Sequence, residues 1–343
     1  MDLKQAFREI KQGNIAPVYV CYGTEAFLMN EFVERLTESL IEPEHREMAL
    51  IRFDTGDTAL SVILEEAQTL PFLVPHKIII VRDSVLFATG KPSSRVEHVP
   101  EQLLSYMDEP AESTVLLFVV PYEKLDERKK IVKTAKSKHQ TIAFTPLPAE
   151  ELIQWMTKRA TAQGRTLDRD AAEELLKRIG TDMQAIVTEL DKLCLHAGVA
   201  GLVTIDAVNE LVPIAAEQNV FRLTEMLATL RTEQAITIYH DLLKQREEPI
   251  KLMALLVRQF RNMLYIKELS GQGHSPQQIA GQLGLHPYAV KLTLEQAHRF
   301  SQERLAALLS ELAELDYAMK TGQVDKVFGL ELFLLRTGSA GAS

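Results

Sequence analysis

A phosphate-holding loop would be the strongest chemical feature available to this sequence. Gly23-Thr-Glu-Ala-Phe-Leu-Met29, directly after an apolar run, is the place to seek it. Phosphate binding at a strand-to-helix turn needs further glycines, so that backbone N–H groups can wrap the anion. It also needs a Lys for the terminal phosphates and a Ser or Thr for Mg2+. This loop has a single glycine and no Lys-Ser/Thr pair, and it puts Glu25 and Phe27 where phosphate would sit. A carboxylate repels an anion at that distance, so nucleotide binding is not expected. Asp83, after Ile78–Val81, could be read as a metal-holding acid. Without a phosphate loop it reads as a strand-end acid in a turn.

Other catalytic patterns are missing. The chain contains no H-E-x-x-H, C-x-x-C or G-x-S-x-G, and its nine histidines are scattered without metal-ligand spacing on one helix. His196 and His298 lie near expected helix ends, where a favourable dipole contact accounts for them. Cys21 and Cys194 sit far apart in apolar or helical patterns and read as reduced core thiols. No cofactor, no metal and no catalytic activity of the chain's own are expected.

The feature that stands out is an apolar turn, Leu70-Pro-Phe-Leu-Val-Pro75. Its two prolines deny it helix and ladder hydrogen bonds and stiffen it. Leu70, Phe72 and Leu73 are large apolar groups in a connection where polar residues are usual. Either they fold back on the core, or they form a rigid hydrophobic plug for a partner's pocket. Each buried anchor would contribute about 1.5–3 kcal/mol before ordering costs.

Two segments invite a nucleic-acid reading. Lys124, Arg128, Lys129, Lys130, Lys133, Lys136 and Lys138 fall together on a predicted helix. They form a solvated face or a phosphate contact, with Lys124, Lys129, Lys130 and Lys133 the candidates for DNA. Ser275–Val290 has the outline of a helix-turn-helix with Gly284 in the turn. Its second helix offers Tyr288, Lys291 and Thr293 rather than the Arg, Asn or Gln that read base edges, so hairpin packing is the simpler account.

The elements that would carry these residues follow from hydrophobic period. Pro17–Tyr22, Ala49–Phe53, Lys77–Arg82, Thr114–Val120 and Thr141–Phe144 read as strands, several apolar throughout, as in a parallel sheet covered on both faces. Leu28, Phe32, Leu36 and Leu40 mark the helix after the first strand. Leu60, Ile63, Leu64 and Ala67 mark another, with Thr58 as its expected cap. Thr145-Pro-Leu-Pro148 reads as a boundary, with no strand pattern beyond it. Helices are expected at 150–163, 169–179 and 182–196, with Asp168 and Asp182 as caps, and near 206–211. After Leu211-Val-Pro213 the chain reads as helical to about 335.

The 343 residues suggest two or three domains, and 46% hydrophobic with 25% charged residues describes a folded chain. A net charge of −9 argues against coating DNA or an anionic membrane by bulk charge. No apolar run approaches the ~18 residues of a spanning helix. Met1-Asp-Leu-Lys-Gln-Ala-Phe7 lacks a basic segment leading into an apolar one, so neither a signal peptide nor membrane association is expected. A cytoplasmic, multidomain protein is the expectation.

Taken in order, several stretches resemble the family of bacterial DNA polymerase III delta subunits, clamp-loader components that open the sliding clamp. They are Val18-Tyr-Val-Cys-Tyr-Gly-Thr-Glu25, Leu70-Pro-Phe-Leu-Val-Pro-His-Lys-Ile-Ile-Ile-Val81, Gly180-Thr-Asp-Met-Gln-Ala-Ile-Val-Thr-Glu-Leu-Asp-Lys-Leu193, Glu217-Gln-Asn-Val-Phe221, Arg258-Gln-Phe-Arg261 and Asp316-Tyr-Ala-Met-Lys-Thr-Gly322. The resemblance implies an AAA+-like α/β domain with a degenerate nucleotide site at 1–145 and a small helical lid at 146–212. An all-α collar for oligomerisation would follow at 213–338, with a disordered tail at 339–343. It implies no ATP hydrolysis; Gln184 stands where an active lid would carry its sensor arginine. The implied partners are the sliding clamp (beta subunit), the ATPase subunits (tau/gamma), the delta-prime subunit and primer-template DNA within the complex. The family's clamp contact falls on Leu70, Phe72 and Leu73, of which Pro71 leaves open the two that insert. The competing readings are a stand-alone AAA+-like ATPase and a helix-turn-helix regulator using Ser275–His298.

Overall fold

The computed structural model describes residues 3–82, 84–89 and 96–339; Asp83 and the tail residues 340–343 lie outside the described residues. The chain divides into two compact units, Met1–Pro146 and Leu147–Ser343.

The first unit opens with α1 (Leu3–Lys11) and then alternates strand and helix. The order is β1 (Val18–Gly23), α2 (Ala26–Leu40), a single turn α3 (Arg46–Ala49), β2 (Leu50–Asp54), α4 (Leu60–Gln68), β3 (Lys77–Arg82), α5 (Pro100–Asp108), β4 (Thr114–Val120), α6 (Lys130–Lys138) and β5 (Gln140–Phe144). All five strands are parallel, in the order β2-β3-β4-β1-β5. Burial on both faces is why β3 and β4 carry almost unbroken Ile, Val, Leu and Phe. Successive side chains alternate between faces. Val18, Val20, Ile79, Val81, Leu116 and Phe118 pack with Leu60, Ile63 and Leu64 of α4, Leu103 and Met107 of α5, and Ile131 and Val132 of α6. On the other face, Phe32 of α2 meets the rings of Phe7, Tyr19 and Phe144 edge-on at 5.6, 5.6 and 5.7 Å. The result is a three-layer α/β unit.

The turn before α4 departs from expectation. Thr58 does not cap the helix; Ala59 is the N-cap residue. Asp54 organises this turn instead, its carboxylate accepting from the Gly56 amide (2.6 Å) and its carbonyl from the Thr58 amide (2.9 Å). Those bonds hold Thr58 inside the turn and move the helix start by one position.

The second unit takes in the helices expected for both lid and collar. Its first part is α7 (Ala149–Ala162), β6 (Thr166–Leu167), α8 (Arg169–Ile179), α9 (Met183–His196), β7 (Leu202–Val203) and α10 (Ile205–Leu211). The absence of strands expected here is corrected by β6 and β7, which pair in parallel. Two-residue strands are too short to leave a periodic signal. Asp182 caps α9, accepting from the Ala185 amide at 3.0 Å, whereas Asp168 begins α8 without a side-chain cap bond.

Seven helices complete the unit: α11 (Ala216–Ala228), α12 (Thr232–Lys244), α13 (Pro249–Gly271), α14 (Pro276–Leu283), α15 (Pro287–Ala297), α16 (Gln302–Lys320) and α17 (Lys326–Ser339). The 23-residue α13 is the axis. Its Phe260 meets Phe300 and Phe333 edge-on, and leucines of α11, α16 and α17 close around it. The α14–α15 hairpin turns through Gly284 in the left-handed region (φ 63°) and packs Ile279, Ala280 and Val290 on Ile266. No helix among the described residues is long and apolar enough to cross a membrane.

His286 caps α15 and pins it to the start of the unit. The Tyr288 amide donates to Nδ1 (3.1 Å), so the neutral ring carries its proton on Nε2, which donates to the Leu147 carbonyl (2.7 Å). Burial disfavours the charged ring and lowers its pKa below the ordinary value. The unfolded chain therefore takes up this proton first on acidification. Its contribution to stability is complete above about pH 6.5 and declines as pH falls from there through the lowered folded value. In His286→Gln, which keeps a donor but cannot titrate, melting temperature should lose that part of its pH dependence, as followed by circular dichroism.

Candidate functional site: an exposed apolar loop

The last turn of α4 has been given a specific stop. The Thr69 amide donates to the carbonyls of Glu65 (3.1 Å) and Glu66 (3.2 Å), and its hydroxyl to Glu65 as well (3.0 Å). The chain then leaves as Leu70–His76 before entering β3. Leu70, Phe72 and Leu73 are 81%, 74% and 73% exposed, so they do not fold back on the core. Pro71 and Pro75 fix φ on either side of the turn. Leu73 between them has φ 61°, a left-handed conformation that costs a non-glycine residue about 1–2 kcal/mol.

Beneath the loop lies a residue whose importance the sequence did not signal. Lys77, the first residue of β3, is only 2% exposed. Its ammonium donates to the Glu66 carbonyl (2.5 Å) and to the Glu66 carboxylate (2.7 Å). A Lys opening a buried strand reads as a solvated strand end, and only the fold brings Glu66 to it.

The turn after β1, where a phosphate loop would lie, is short and packed against the backbone of β5. Only Thr24 and Glu25 separate β1 from α2, and neither is a glycine that would let the backbone wrap closely around an anion. Gly23 has φ 137°, and a Cβ there would lie 2.0 Å from the Phe144 carbonyl oxygen. The Glu25 amide donates to that same oxygen (3.0 Å). Leu28 and Met29 point into the core and Phe27 is half-buried.

The basic segment is not a single helix: α6 begins at Lys130. The guanidinium of Arg128 chelates the Asp126 carboxylate through two 2.9 Å bonds and the Arg128 amide adds a third at 3.1 Å, holding 126–129 as a turn. The Arg128 cation holds the Asp126 carboxyl at about 2, well below the usual range. Lys129 turns inward and donates to the carbonyls of Leu86 (2.8 Å) and Ala88 (2.7 Å). Lys136 pairs with Glu127 and Lys138 with Asp108. Lys124, Lys130 and Lys133 stay exposed and outside the ion pairs found among the described residues. In the α14–α15 hairpin, Thr293 is buried and Tyr288 half-buried, leaving Lys291 beside the exposed Glu295, a poor base-reading surface. Gln184 is exposed on the first turn of α9. Cys21 and Cys194 are buried and unbridged. Among the described residues no group of three or more His, Cys, Asp or Glu could hold a metal ion.

Comparison with known proteins covers both units. The family model "DNA polymerase III, delta subunit" matches residues 19–145, and "DNA polymerase III delta subunit, C-terminal domain" matches residues 217–337. The chain is similar to DNA polymerase III subunit delta of Bacillus subtilis, with 37% identity over 96% of this chain and 95% of that protein. It is also similar to the probable DNA polymerase III subunit delta of Aquifex aeolicus, with 21% identity over 92% of this chain and 90% of that one. Among solved structures, the Bacillus subtilis DNA clamp loader delta protein (YqeN) superposes with a TM-score of 0.87 at 36% identity, over 98% of this chain and 99% of that one.

The packing at Gly23 has a direct test. Gly23→Ala forces a methyl group against the Phe144 carbonyl and should destabilise the chain by roughly 2–4 kcal/mol in urea unfolding. Gly271→Ala, whose added Cβ meets nothing within 4 Å, should leave the midpoint unchanged or slightly raised.

Proposed function

Since the chain belongs to the DNA polymerase III delta subunit family, we propose that it binds a ring-shaped sliding clamp and holds it open for loading onto primed DNA. The contact is made by Leu70, Phe72 and Leu73. One observation carries this reading: three large apolar side chains stand more than seven-tenths exposed on a proline-bracketed loop. Other exposed apolar residues of that unit, such as Met48, Val62 and Val99, stand singly and are less than half exposed. A rigid loop has already lost the conformational freedom that a flexible one surrenders on binding, so more of the apolar burial appears as affinity.

The mechanism is differential binding. A plug that fits an opened or strained clamp interface better than the closed one shifts the ring toward opening by that difference in affinity. No chemistry is required of this chain, in keeping with a phosphate loop of two residues sealed by Phe144. Nucleotide hydrolysis belongs to partner ATPase subunits (tau/gamma), which assemble with it and with a delta-prime subunit through the helices after Pro213. Their conformational changes expose or cover the plug. Lys124, Lys130 and Lys133, which face solvent, are the residues available to the phosphates of primer-template DNA in the complex.

Titration against the sliding clamp of the same organism, followed by native mass spectrometry, tests the reading. A complex of one subunit with an opened or monomeric clamp is expected. Leu70→Ala/Phe72→Ala/Leu73→Ala should weaken it at least about 100-fold, since two or more anchors are lost. Its melting temperature should stay within a few degrees of the parent, because none of the three supports the core. Undiminished affinity in that folded variant would reject the plug.

A further inference from the structure

The loop that carries Leu70, Phe72 and Leu73 does not hold itself together. Residues 70–76 make no backbone–backbone hydrogen bond to any described residue. Pro71 and Pro75 restrict their own torsions, but they do not fix where the loop begins relative to where it ends. That task falls to its two anchors: the last turn of α4, which carries Glu66, and the first residue of β3, Lys77.

Lys77 joins these anchors across the base of the loop. It bonds to the backbone and the side chain of the same residue, 11 positions earlier. The ammonium sits at the C-terminal end of α4, where the helix leaves carbonyls unsatisfied and a cation is favourable. Its own backbone is committed too, the Lys77 amide donating to Ser113 beside β4 (2.9 Å). The helix end is thereby tied to a strand fixed in the sheet. At 2% exposed, the Lys77 side chain is out of reach of any protein docking on the loop. Glu66, with its side chain 35% exposed, keeps access to water when unpaired, so replacing Lys77 by an apolar residue strands no buried carboxylate.

We infer that Lys77 is a positioning residue for clamp binding: it closes the base of the loop and keeps the apolar side chains in their docking arrangement before the partner arrives. This rests on the plug reading above. Without the closure the loop samples more arrangements, and the binding-competent fraction falls. Apparent affinity falls by that fraction. Since Lys77 does not touch the partner, the loss appears in the association rate, whereas removing the anchors themselves speeds dissociation.

The test uses the full chain carrying Lys77→Met, which keeps bulk and removes the donor. Association with the sliding clamp, measured by surface plasmon resonance, should slow about tenfold with dissociation nearly unchanged. Methyl order parameters of Leu70 and Leu73 should drop by NMR while those of Leu64 hold. Assembly with the other loader subunits should be unaffected. Wild-type association and wild-type methyl order in the folded variant would overturn the inference. So would an equal loss of loader assembly, which marks general destabilisation. If Lys77→Met does not fold, Glu66→Ala decides, since it removes only the exposed half of the contact. About threefold slower association is expected there, and an unchanged rate overturns the inference. The triple-alanine variant separates the two ideas. If it keeps clamp affinity, the plug itself is wrong; if it loses affinity while Lys77→Met associates normally, only the positioning role fails.

Discussion

Leu70, Phe72 and Leu73 would each gain free energy by leaving water, and the nearest apolar surface is the core of their own unit. Keeping them out of it is the constraint around which the first unit is arranged. The sheet leaves them no vacancy: on one face β3 and β4 pack under α4, α5 and α6, and on the other Ile78, Ile80 and Leu117 are already buried. The loop is also too short and too restricted by proline to double back. What remains is a small surface held in water at a thermodynamic disadvantage, which a partner's pocket can relieve.

The turn after β1 is closed just as tightly. In a strand-to-helix turn built for phosphate, the backbone must stay open so that its N–H groups face a ligand. Here α2 begins two residues after β1, and the Phe144 carbonyl accepts the Glu25 amide that would otherwise look for an anion. This corner is fixed from within the unit, by β5.

Much of this organisation was legible in the sequence. Unbroken Ile, Val and Leu in Lys77–Arg82 and Thr114–Val120 announced buried parallel strands, and the spacing of Leu60, Ile63, Leu64 and Ala67 announced the covering face of α4. The apolar turn was conspicuous because Leu and Phe stood between prolines. Its direction was not legible, since hydrophobicity says that a residue prefers burial but not whether space remains for it. The start of α6 was misjudged because the Asp126–Arg128 chelate outweighs helical propensity over three residues. Lys77 went unnoticed because its partner is set by how a helix end lies over a strand end, which no short-range pattern records. The β6–β7 pair was invisible for its length alone.

The left-handed turn at Leu73 bears on which sequences this loop can accept over time. A large apolar side chain favours contact with a partner, while a positive φ favours glycine or asparagine, so the position answers to two opposed demands. Valine and isoleucine meet the first but are penalised most by the second, because their branched Cβ crowds the neighbouring carbonyl. Unbranched apolar residues such as methionine are the neutral exchanges, and the polar ones that relax the backbone forfeit the contact. Drift at this site is therefore confined to a narrower set than at Leu70 or Phe72, though all three face solvent alike.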